Sequence, residues 1–344
     1  MAASESDTTL KKEGIFILPL LYYTPDTRFA AGAMGVYYFR PGLQSSLDTR
    51  LSYVKFLADY TQNEQLDIWA SWNIFTDLEQ YLFKGELRYR NFPDRFYGIG
   101  NNTSKSNMER YSYDFVSAKL LGMKQVAKGL FVGADYQITH QYQFSYEPFP
   151  ELLTPSITGY AGGTTSGLGL VATYDSRDNV VNAYSGMFAE ISSYFYRPWL
   201  GSSFGYNNIN LIYTAYQSLA PAHVWGVHAV MNHNTEGVPF IEMAKVGNDD
   251  ILRGYARNRF RDLNYVAVQT EYRFPLYRRL GGVAFAGVGD VFNSLSDLRW
   301  EYAKYTYGVG LRFAINTQER LNIRFDYGWG RGEQSFYLTL TEAF

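Results

Sequence analysis

Apolar and polar side chains alternate with a period of two along nearly the whole chain, in segments of about ten residues. The clearest segment is 321–329, where every odd position is apolar or aromatic and every even position is polar, charged or glycine. Residues 264–274 repeat the pattern, with Gln269, Glu271 and Arg273 on one face. About ten residues is also the length that a tilted β-strand needs to cross a bilayer. The alternation therefore predicts membrane-crossing strands with lipid on one face and a polar interior on the other.

We predict sixteen such strands, an even number. Their ranges are 14–23, 28–39, 47–58, 64–75, 81–92, 111–124, 129–145, 165–175, 186–197, 204–218, 222–235, 263–275, 281–291, 303–315, 320–330 and 334–344. The alternative from composition alone is a large soluble β-sandwich or propeller, which could be equally rich in tyrosine.

The lengths of the connections favour the barrel over the sandwich. The long connections are 93–110, 146–164, 236–262 and 292–302, and all of them fall at one end of the predicted strands. The connections 40–46, 76–80, 125–128, 219–221, 276–280 and 316–319 are short and fall at the other end. Short periplasmic turns and long external loops are typical of outer-membrane barrels. We therefore expect an all-β, membrane-spanning antiparallel barrel over residues 14–344, preceded by a short periplasmic segment, residues 1–13.

Composition narrows the class further. The 344 residues include 31 Tyr, 24 Phe and 6 Trp, as aromatic girdles require. Mean hydropathy is −0.25, and no apolar run reaches the roughly 18 residues of a transmembrane helix. With no cysteine and a net charge of −2, the chain has no disulfides and lacks the basic character of a nucleic-acid-binding protein. We expect no metal, no cofactor and no catalytic residues.

The N-terminal residues bear on the compartment. Residues 1–10 lack the charged and then apolar regions of a signal peptide, and small polar residues follow Met1. This is typical of a mature end from which a signal peptide has been cleaved. We expect the protein in the bacterial outer membrane, in contact with its lipid and lipopolysaccharide.

The longest predicted loop contains Arg253, Gly254 and Tyr255. This sequence resembles the Arg-Gly-aromatic motif in the sixth external loop of the BamA/TamA-type outer-membrane assembly barrels, the bacterial surface antigen superfamily. The loop lies between predicted strands eleven and twelve, where that family has it. The resemblance implies that the loop folds back into the lumen and that Arg253 pairs there with wall acids, for which Glu271 and Asp290 are the candidates. A guanidinium in a partly dry lumen needs such carboxylates, and Gly254 allows a tight turn.

A second motif consists of Asp175, Arg177, Asp178 and Asn179, followed by Gly186. It resembles the same family's Asp-x-Arg-Asp-Asn periplasmic turn after strand eight. The family's proline before the glycine is replaced here by residues 182–185. The alternative is an Asx-type turn that hydrogen-bonds only to itself.

The last predicted strand ends at Phe344, which shares its parity with Phe336, Leu338 and Leu340. A terminal aromatic residue on an alternating strand resembles the signal that the outer-membrane assembly machinery reads. We expect Phe344 to lie on the lipid-facing side of this strand.

Two further features point to a weak seam between the first and last strands. Pro19 lies inside the first strand and cannot donate a ladder hydrogen bond, which is tolerated only at an edge or a bulge. Gly328 and Gly330 precede the last strand and could let it bend. We predict that Pro19, Gly328, Gly330 and Phe344 mark this seam. The alternative is that Pro19 accommodates a bulge in a closed barrel.

The resemblance implies a role in the insertion or secretion of outer-membrane proteins, with client outer-membrane proteins or other envelope proteins as partners. Family members usually carry N-terminal polypeptide-transport-associated domains, and we expect this chain to be a member without them. Three alternatives remain: a non-catalytic scaffold for another envelope protein, a plugged pore for small solutes, and a hydrolase. The hydrolase would use one of the four histidines, His140, His223, His228 and His233, but no nucleophile motif accompanies them.

Overall fold

The computed structural model describes residues 13–24, 28–41, 50–148, 150–317 and 320–344. The proposed periplasmic segment therefore lies outside the described residues, except for Glu13. The described residues form one antiparallel sheet of sixteen strands that pair in chain order. No helix in the described part of the chain is long and apolar enough to cross a membrane.

The sixteen strands of this sheet form the wall of the barrel, and they are joined by the short turns and long loops that the sequence predicts. Their bounds are β1 (Glu13–Thr24), β2 (Arg28–Phe39), β3 (Ser52–Thr61), β4 (Leu66–Phe75), β5 (Tyr81–Phe96), β6 (Glu109–Ala127), β7 (Leu130–Tyr146), β8 (Gly163–Asp175), β9 (Gly186–Tyr196), β10 (Tyr206–Ala220), β11 (His223–Asn234), β14 (Asn264–Tyr277), β15 (Leu280–Phe292), β16 (Lys304–Asn316), β17 (Leu321–Gly330) and β18 (Glu333–Leu340). A separate ribbon of β12 (Ala244–Val246) and β13 (Phe260–Asp262) lies inside the connection between β11 and β14. Single 3-10 turns occur at Asp77–Glu79, Lys105–Asn107, Pro198–Leu200 and Leu295–Asp297.

The predicted number of strands and their alternation are confirmed. In β17, the outward Ile323 and Phe325 are exposed, whereas the inward Arg324 and Asp326 are almost fully buried. Apolar side chains thus face the surroundings and charged ones the interior, which is the reverse of a soluble sheet.

Three predicted strand boundaries differ by four residues or more from the structure. β5 runs to Phe96, four residues beyond the predicted end at residue 92. The third strand begins at Ser52 in the structure, and the predicted start at residues 47–49 lies outside the described residues. The last strand ends at Leu340, because Thr341 adopts a φ of 69° and takes the chain out of the sheet. Residues 341–344, which we call the tail segment, therefore do not continue β18.

The long connections 97–108, 147–162, 235–263 and 293–303 all lie at one end of the barrel, the loop end. The opposite end, the turn end, carries mostly short turns. Its exceptions are residues 40–51, which are only partly described, and residues 176–185.

The connection 235–263 fills the interior. On one side its Arg261 donates to the main-chain oxygen of Arg95 at the end of β5, at 3.0 Å. On the other side its Arg253 forms ion pairs with Glu271 in β14 and Asp326 in β17. One segment touches opposite walls, so the sheet curves around it.

Candidate functional site

The ion pairs of Arg253 are the centre of the site. The Arg253 side chain has no exposed surface, and neither has that of Glu271 or Asp326. Its Nη2 lies 2.5 Å from Glu271 Oε2, and its Nη1 pairs with Asp326 Oδ2. The guanidinium also lies over the ring of Phe285, at 3.7 Å from the centroid. The structure thus brings together Arg253 and Glu271, the first of the two expected partners.

The expected pairing of Arg253 with Asp290 is not found, and Asp326 takes that place. Asp290 Oδ1 instead lies 3.0 Å from Lys304 Nζ, and its Oδ2 accepts from Asn101 at 3.3 Å. Asp290 therefore belongs to a separate cluster near the loop end. The sequence does hold a signal for Asp326, since it lies on the charged row of residues 321–329.

The ion pairs extend into a network that we call the ion-pair network. Its members are Arg253, Arg273, Arg312, Arg324, Asp249, Glu271, Asp326 and Glu342. Arg312 bridges Asp326 at 2.6 Å and Glu342 at 2.6 Å. The four cations balance four carboxylates, of which Glu271, Asp326 and Glu342 are buried and Asp249 is partly exposed. Such pairing is the condition for burying charges. Arg273, Arg312, Arg324, Asp249 and Glu342 were not singled out from the sequence.

Glycines make room for the loop against the wall. The ladder pairs Glu271, Phe285, Gly308 and Gly328 in one row across four strands. Gly254 has a φ of 130°, and a Cβ there would lie 2.7 Å from the carbonyl carbon of Trp329. A side chain at either Gly254 or Gly328 would push the loop off the wall.

The prediction that Gly328 and Gly330 lie at the seam is wrong. Both lie in β17 and form the floor under the loop tip. A Cβ on Gly330 would lie 2.7 Å from the ring of Tyr255, and one on Gly328 would lie 2.6 Å from the main-chain oxygen of Arg253.

Tyr255 completes the hold on the loop tip. Its Oη donates to the main-chain oxygen of Tyr305 at 3.2 Å and accepts from the amide of Arg331 at 3.0 Å. The hydroxyl of Tyr337 in β18 accepts from the Gly254 amide at 2.9 Å and donates to the Tyr255 oxygen at 3.1 Å. The loop motif thus contacts β16, β17 and β18.

The second motif lies at the turn end, and it has partners beyond itself. Asp175 accepts from Arg177 at 2.9 Å and from Arg50, on the connection before β3, at 3.1 Å. Asp178 pairs with Arg320 of the β16–β17 turn at 2.7 Å. The alternative of a turn bonded only to itself is therefore not what the structure shows.

Local hydrogen bonds fix the shape of the same turn. Asn179 Oδ1 accepts from the amides of Val181 and Asn182 at 2.7 and 2.8 Å. Gly186 has a φ of 95°, and a Cβ there would lie 2.2 Å from the oxygen of Ser176.

Electrostatics at Asp178 favour the ionised form. Burial raises the pKa of Asp178, but the hydrogen bonds from Arg320 and from the amides of Tyr184 and Ser185 together outweigh it. The pKa of this carboxyl is therefore held below its ordinary value, so it is ionised at neutral pH.

Phe344 does not face lipid, contrary to the expectation from its parity, and it does not mark the seam either, because its ring contacts residues of β10 and β11. The tail segment turns into the interior, and the Phe344 ring stacks on His228 with centroids 4.9 Å apart. Arg273 donates to the Phe344 main-chain oxygen at 2.9 Å. The turn at Thr341 ends the alternation four residues earlier than the sequence pattern suggests, so parity no longer applies.

Pro19 lies in β1, whose pairing with β2 runs from Glu13 opposite Phe39 to Thr24 opposite Arg28 without a register shift. A bulge is therefore not the reason for this proline. In the sheet order, β1 pairs only with β2 and β18 only with β17, and no ladder joins β1 to β18 in the described residues. Pro19 thus lies in an edge strand, where the missing donor is tolerated.

Groups that could bind a metal ion do not occur among the described residues. The histidines contact hydroxyl and amide groups: His228 contacts Thr214 at 2.9 Å, His223 contacts Tyr272 at 2.7 Å and His140 contacts Thr164 at 2.9 Å. His233 pairs with Asn264.

Comparisons with known proteins agree with this geometry. Residues 37–344 match the Omp85 superfamily domain. The structure of BamA from Haemophilus ducreyi lacking POTRA domains 1–3 has a TM-score of 0.60 and 13% identity, over 96% of this chain and 70% of that one. CdiB from Acinetobacter baumannii has a TM-score of 0.62 and 12% sequence identity, and the match covers 96% of this chain and 60% of that one. CdiB from Escherichia coli has a TM-score of 0.55 and 10% sequence identity, and the match covers 96% of this chain and 61% of that one.

At these identities the structural similarity shows a shared fold. The chain spans less than two thirds of the length of either CdiB chain. No curated protein sequence matches it significantly.

Proposed function

Because this chain belongs to the Omp85 superfamily, we propose that it acts in the insertion or secretion of outer-membrane proteins in the bacterial outer membrane. The seam between β1 and β18 would be the place of action. The partners are client outer-membrane proteins, together with the lipid and lipopolysaccharide around the barrel.

The observation that carries the proposal is the pair of free sheet edges. Every other wall strand is paired on both sides, whereas β1 and β18 are each paired on one side in the described residues. An exposed edge presents unpaired N–H and C=O groups, which can template an added strand. In a membrane such groups must be satisfied, so an edge that is free to pair has a strong drive to accept a client strand.

Side-chain exposure supports the same view. The outward Ile15 and Leu21 of β1 are 73% and 78% exposed, whereas Leu170 in β8 is 66% exposed and Phe325 in β17 is 43% exposed, although both of these strands are paired on two sides. Outward side chains of β1 thus exceed even the more exposed ones of a strand paired on both sides, as expected where no neighbouring strand covers one side. A client strand would cover this side by β-augmentation.

The filled interior bears on the pore alternative. The loop 235–263 crosses from wall to wall, and its Arg253, Leu252 and Tyr255 are buried. A wide, steadily open channel for solutes does not fit a lumen occupied in this way. A client strand that enters at the seam would not have to pass this plug.

A crosslink across the seam tests the proposal. The chain has no cysteine, so Ile17→Cys in β1 and Leu338→Cys in β18 introduce the only thiols, to be joined by a flexible bismaleimide. The crosslinked chain in lipid vesicles is then given a urea-unfolded eight-stranded outer-membrane protein as a test client. We expect membrane insertion of the client to fall to the level of empty vesicles.

A matched control joins two strands that are already paired. Leu311 in β16 lies opposite Phe325 in β17, so a crosslink between cysteines at these positions should leave insertion unchanged. Full activity with the seam closed would contradict the proposal. If even the untreated protein does not accelerate insertion, the scaffold alternative is favoured, and partners should be identified by purification from native membranes.

A further inference from the structure

We propose that the barrel interior contains a binding site for a short peptide segment with a carboxylate and, two residues later, an aromatic ring. In this structure Glu342 and Phe344 of the tail segment occupy the site. The inference concerns the inside of the barrel at its turn end, and it stands independently of the seam.

The first half of the site binds the carboxylate. Glu342 Oε2 accepts from Arg312 Nε at 2.6 Å. Its Oε1 accepts from Asn322 Nδ2 at 2.7 Å and from Asn182 Nδ2 at 3.4 Å. Glu342 is buried, so these are charge-assisted hydrogen bonds in a poorly solvated place, where they are strongest.

The second half of the site binds the aromatic residue. The ring of Phe344 stacks on His228 at an interplanar angle of 10°, and its centroid lies 6.3 Å from that of Tyr216. Gly226 leaves the slot open, since a Cβ there would lie 3.1 Å from the Phe344 ring. Arg273 holds the main chain of Phe344 through its oxygen.

The charges of the site require an anion. Without the tail segment, the ion-pair network consists of four arginines and three carboxylates, of which Asp249 is partly exposed. One buried guanidinium charge is then uncompensated, which is costly in a protein interior. Glu342 removes this imbalance, so the site is selective for an acidic segment.

The site is built without any residue of β18. Its members come from β10, β11, β14, β16, β17 and the connection 176–185, and they are Tyr216, Gly226, His228, Arg273, Arg312, Asn322 and Asn182. The tail segment is therefore a ligand that happens to be covalently attached. A separate peptide of the same chemistry can bind in its place once the tail has left.

The backbone shows that contacts hold the tail in place. Thr341 is β-branched and has a φ of 69°, a region that such residues rarely adopt. The chain thus leaves β18 against its local preference, and the interactions of Glu342 and Phe344 offset the cost.

The turn that contains the Asp-x-Arg-Asp-Asn motif positions one residue of this binding site, Asn182. Asn179 fixes the amide of Asn182, and Asn182 in turn contacts both Glu342 and Arg273, at 3.4 and 3.1 Å. The turn therefore forms the lid of the site at the turn end.

The first experiment measures release of the tail. Ala343 is 6% exposed, and Ala343→Cys gives the full chain a single thiol whose reaction with a water-soluble maleimide is timed in detergent micelles. Adding Glu342→Gln should raise the labelling rate about tenfold or more, since a charge-assisted hydrogen bond is lost. Phe344→Ala, which leaves the ion-pair network intact, should also raise it. Glu301→Gln, at an exposed loop position, should not.

The second experiment tests binding in trans. A fluorescent peptide ending in Thr-Glu-Ala-Phe is added to the full chain carrying Glu342→Gln and Phe344→Ala, and its anisotropy is followed. We expect it to bind this variant at least tenfold more tightly than the unsubstituted chain, and to lose binding when Arg312→Gln is added. Unchanged labelling in both tail variants would overturn the inference. So would a peptide that fails to bind after labelling has shown the tail released.

Discussion

The backbone of Gly254, at the tip of the interior loop, lies directly against the backbone of Gly328 in β17. A Cβ on Gly328 would approach the Gly254 amide nitrogen to 3.0 Å, and one on Gly254 would approach the Gly328 carbonyl carbon to 3.0 Å. This contact sets how deeply Arg253 enters the ion-pair network. The position of the loop therefore depends on the absence of two side chains.

Gly328→Ala should lower the free energy of unfolding by roughly 1–3 kcal/mol, because the added methyl group overpacks a backbone contact. The shift of the thermal midpoint on semi-native gels in detergent measures the effect. Gly35→Ala in β2 is the control, since a Cβ there meets nothing within 4 Å. An equal loss at both positions would show that the loop does not rest on Gly328.

Arg253→Ala should cost roughly 3–5 kcal/mol, because it leaves Glu271 and Asp326 buried without this partner. Urea unfolding followed by tryptophan fluorescence measures the loss. Arg257→Ala, four residues further along the same loop at an exposed position, is the matched control and should change stability by less than about 0.5 kcal/mol. A similar small effect of both substitutions would argue against the loop being anchored by its buried arginine.

A double-mutant cycle separates the two acids. Arg253→Ala and Glu271→Gln should be coupled by roughly 0.5–3 kcal/mol, whereas Arg253→Ala and Asp290→Asn should be additive. The reason is that Asp290 pairs with Lys304, not with Arg253. Strong coupling of Arg253 to Asp290 would restore the assignment made from the sequence.

Alternation of side chains was enough to predict sixteen strands and a buried Glu271, but it could not choose the second acid. The ladder pairs Glu271 with Phe285 and Asp290 with Val266. Measured along β14, Asp290 therefore lies level with Val266, five positions and roughly 16 Å from Glu271. Because five is an odd number, the two acids also lie on opposite faces of the sheet. Asp326, by contrast, lies in the same row of ladder partners as Gly310, Val283 and Arg273. Arg273 is two positions from Glu271 in β14, so Asp326 and Glu271 are on the same face and close together. The sequence predicts which face of a strand a side chain lies on. It does not predict the register between strands, which decides which side chains come into contact.

The tail segment was mispredicted for a related reason. Phe344 has the parity of an outward residue, but parity holds only while the chain stays extended. A single left-handed residue, Thr341, redirects the chain, and no local signal marks threonine for that conformation. The partners that hold the tail, such as Arg312 and Asn182, are distant in sequence.

The stability that the ion pair between Asp178 and Arg320 contributes should change with pH only in the acid range. The pKa of Asp178 is lowered in the folded state, so its contribution is present above the ordinary aspartate pKa of about 3.9 and is lost as pH falls through the folded value. The difference in thermal midpoint between the unsubstituted chain and Asp178→Asn should therefore be constant from about pH 5 to 8. It should shrink below about pH 4. A difference that changes between pH 5 and 8 would contradict the lowered pKa.

Hydrogen–deuterium exchange of the barrel in lipid nanodiscs tests the weak seam most directly. The amides of β1 and β18 should exchange at least about tenfold faster than those of β9 and β10, which lie in the middle of the sheet order. The comparison uses amides at matched depth, so that access of water through the membrane is the same. Equal protection of all four strands would mean that a ladder joins β1 to β18, so that the barrel does not work through its seam.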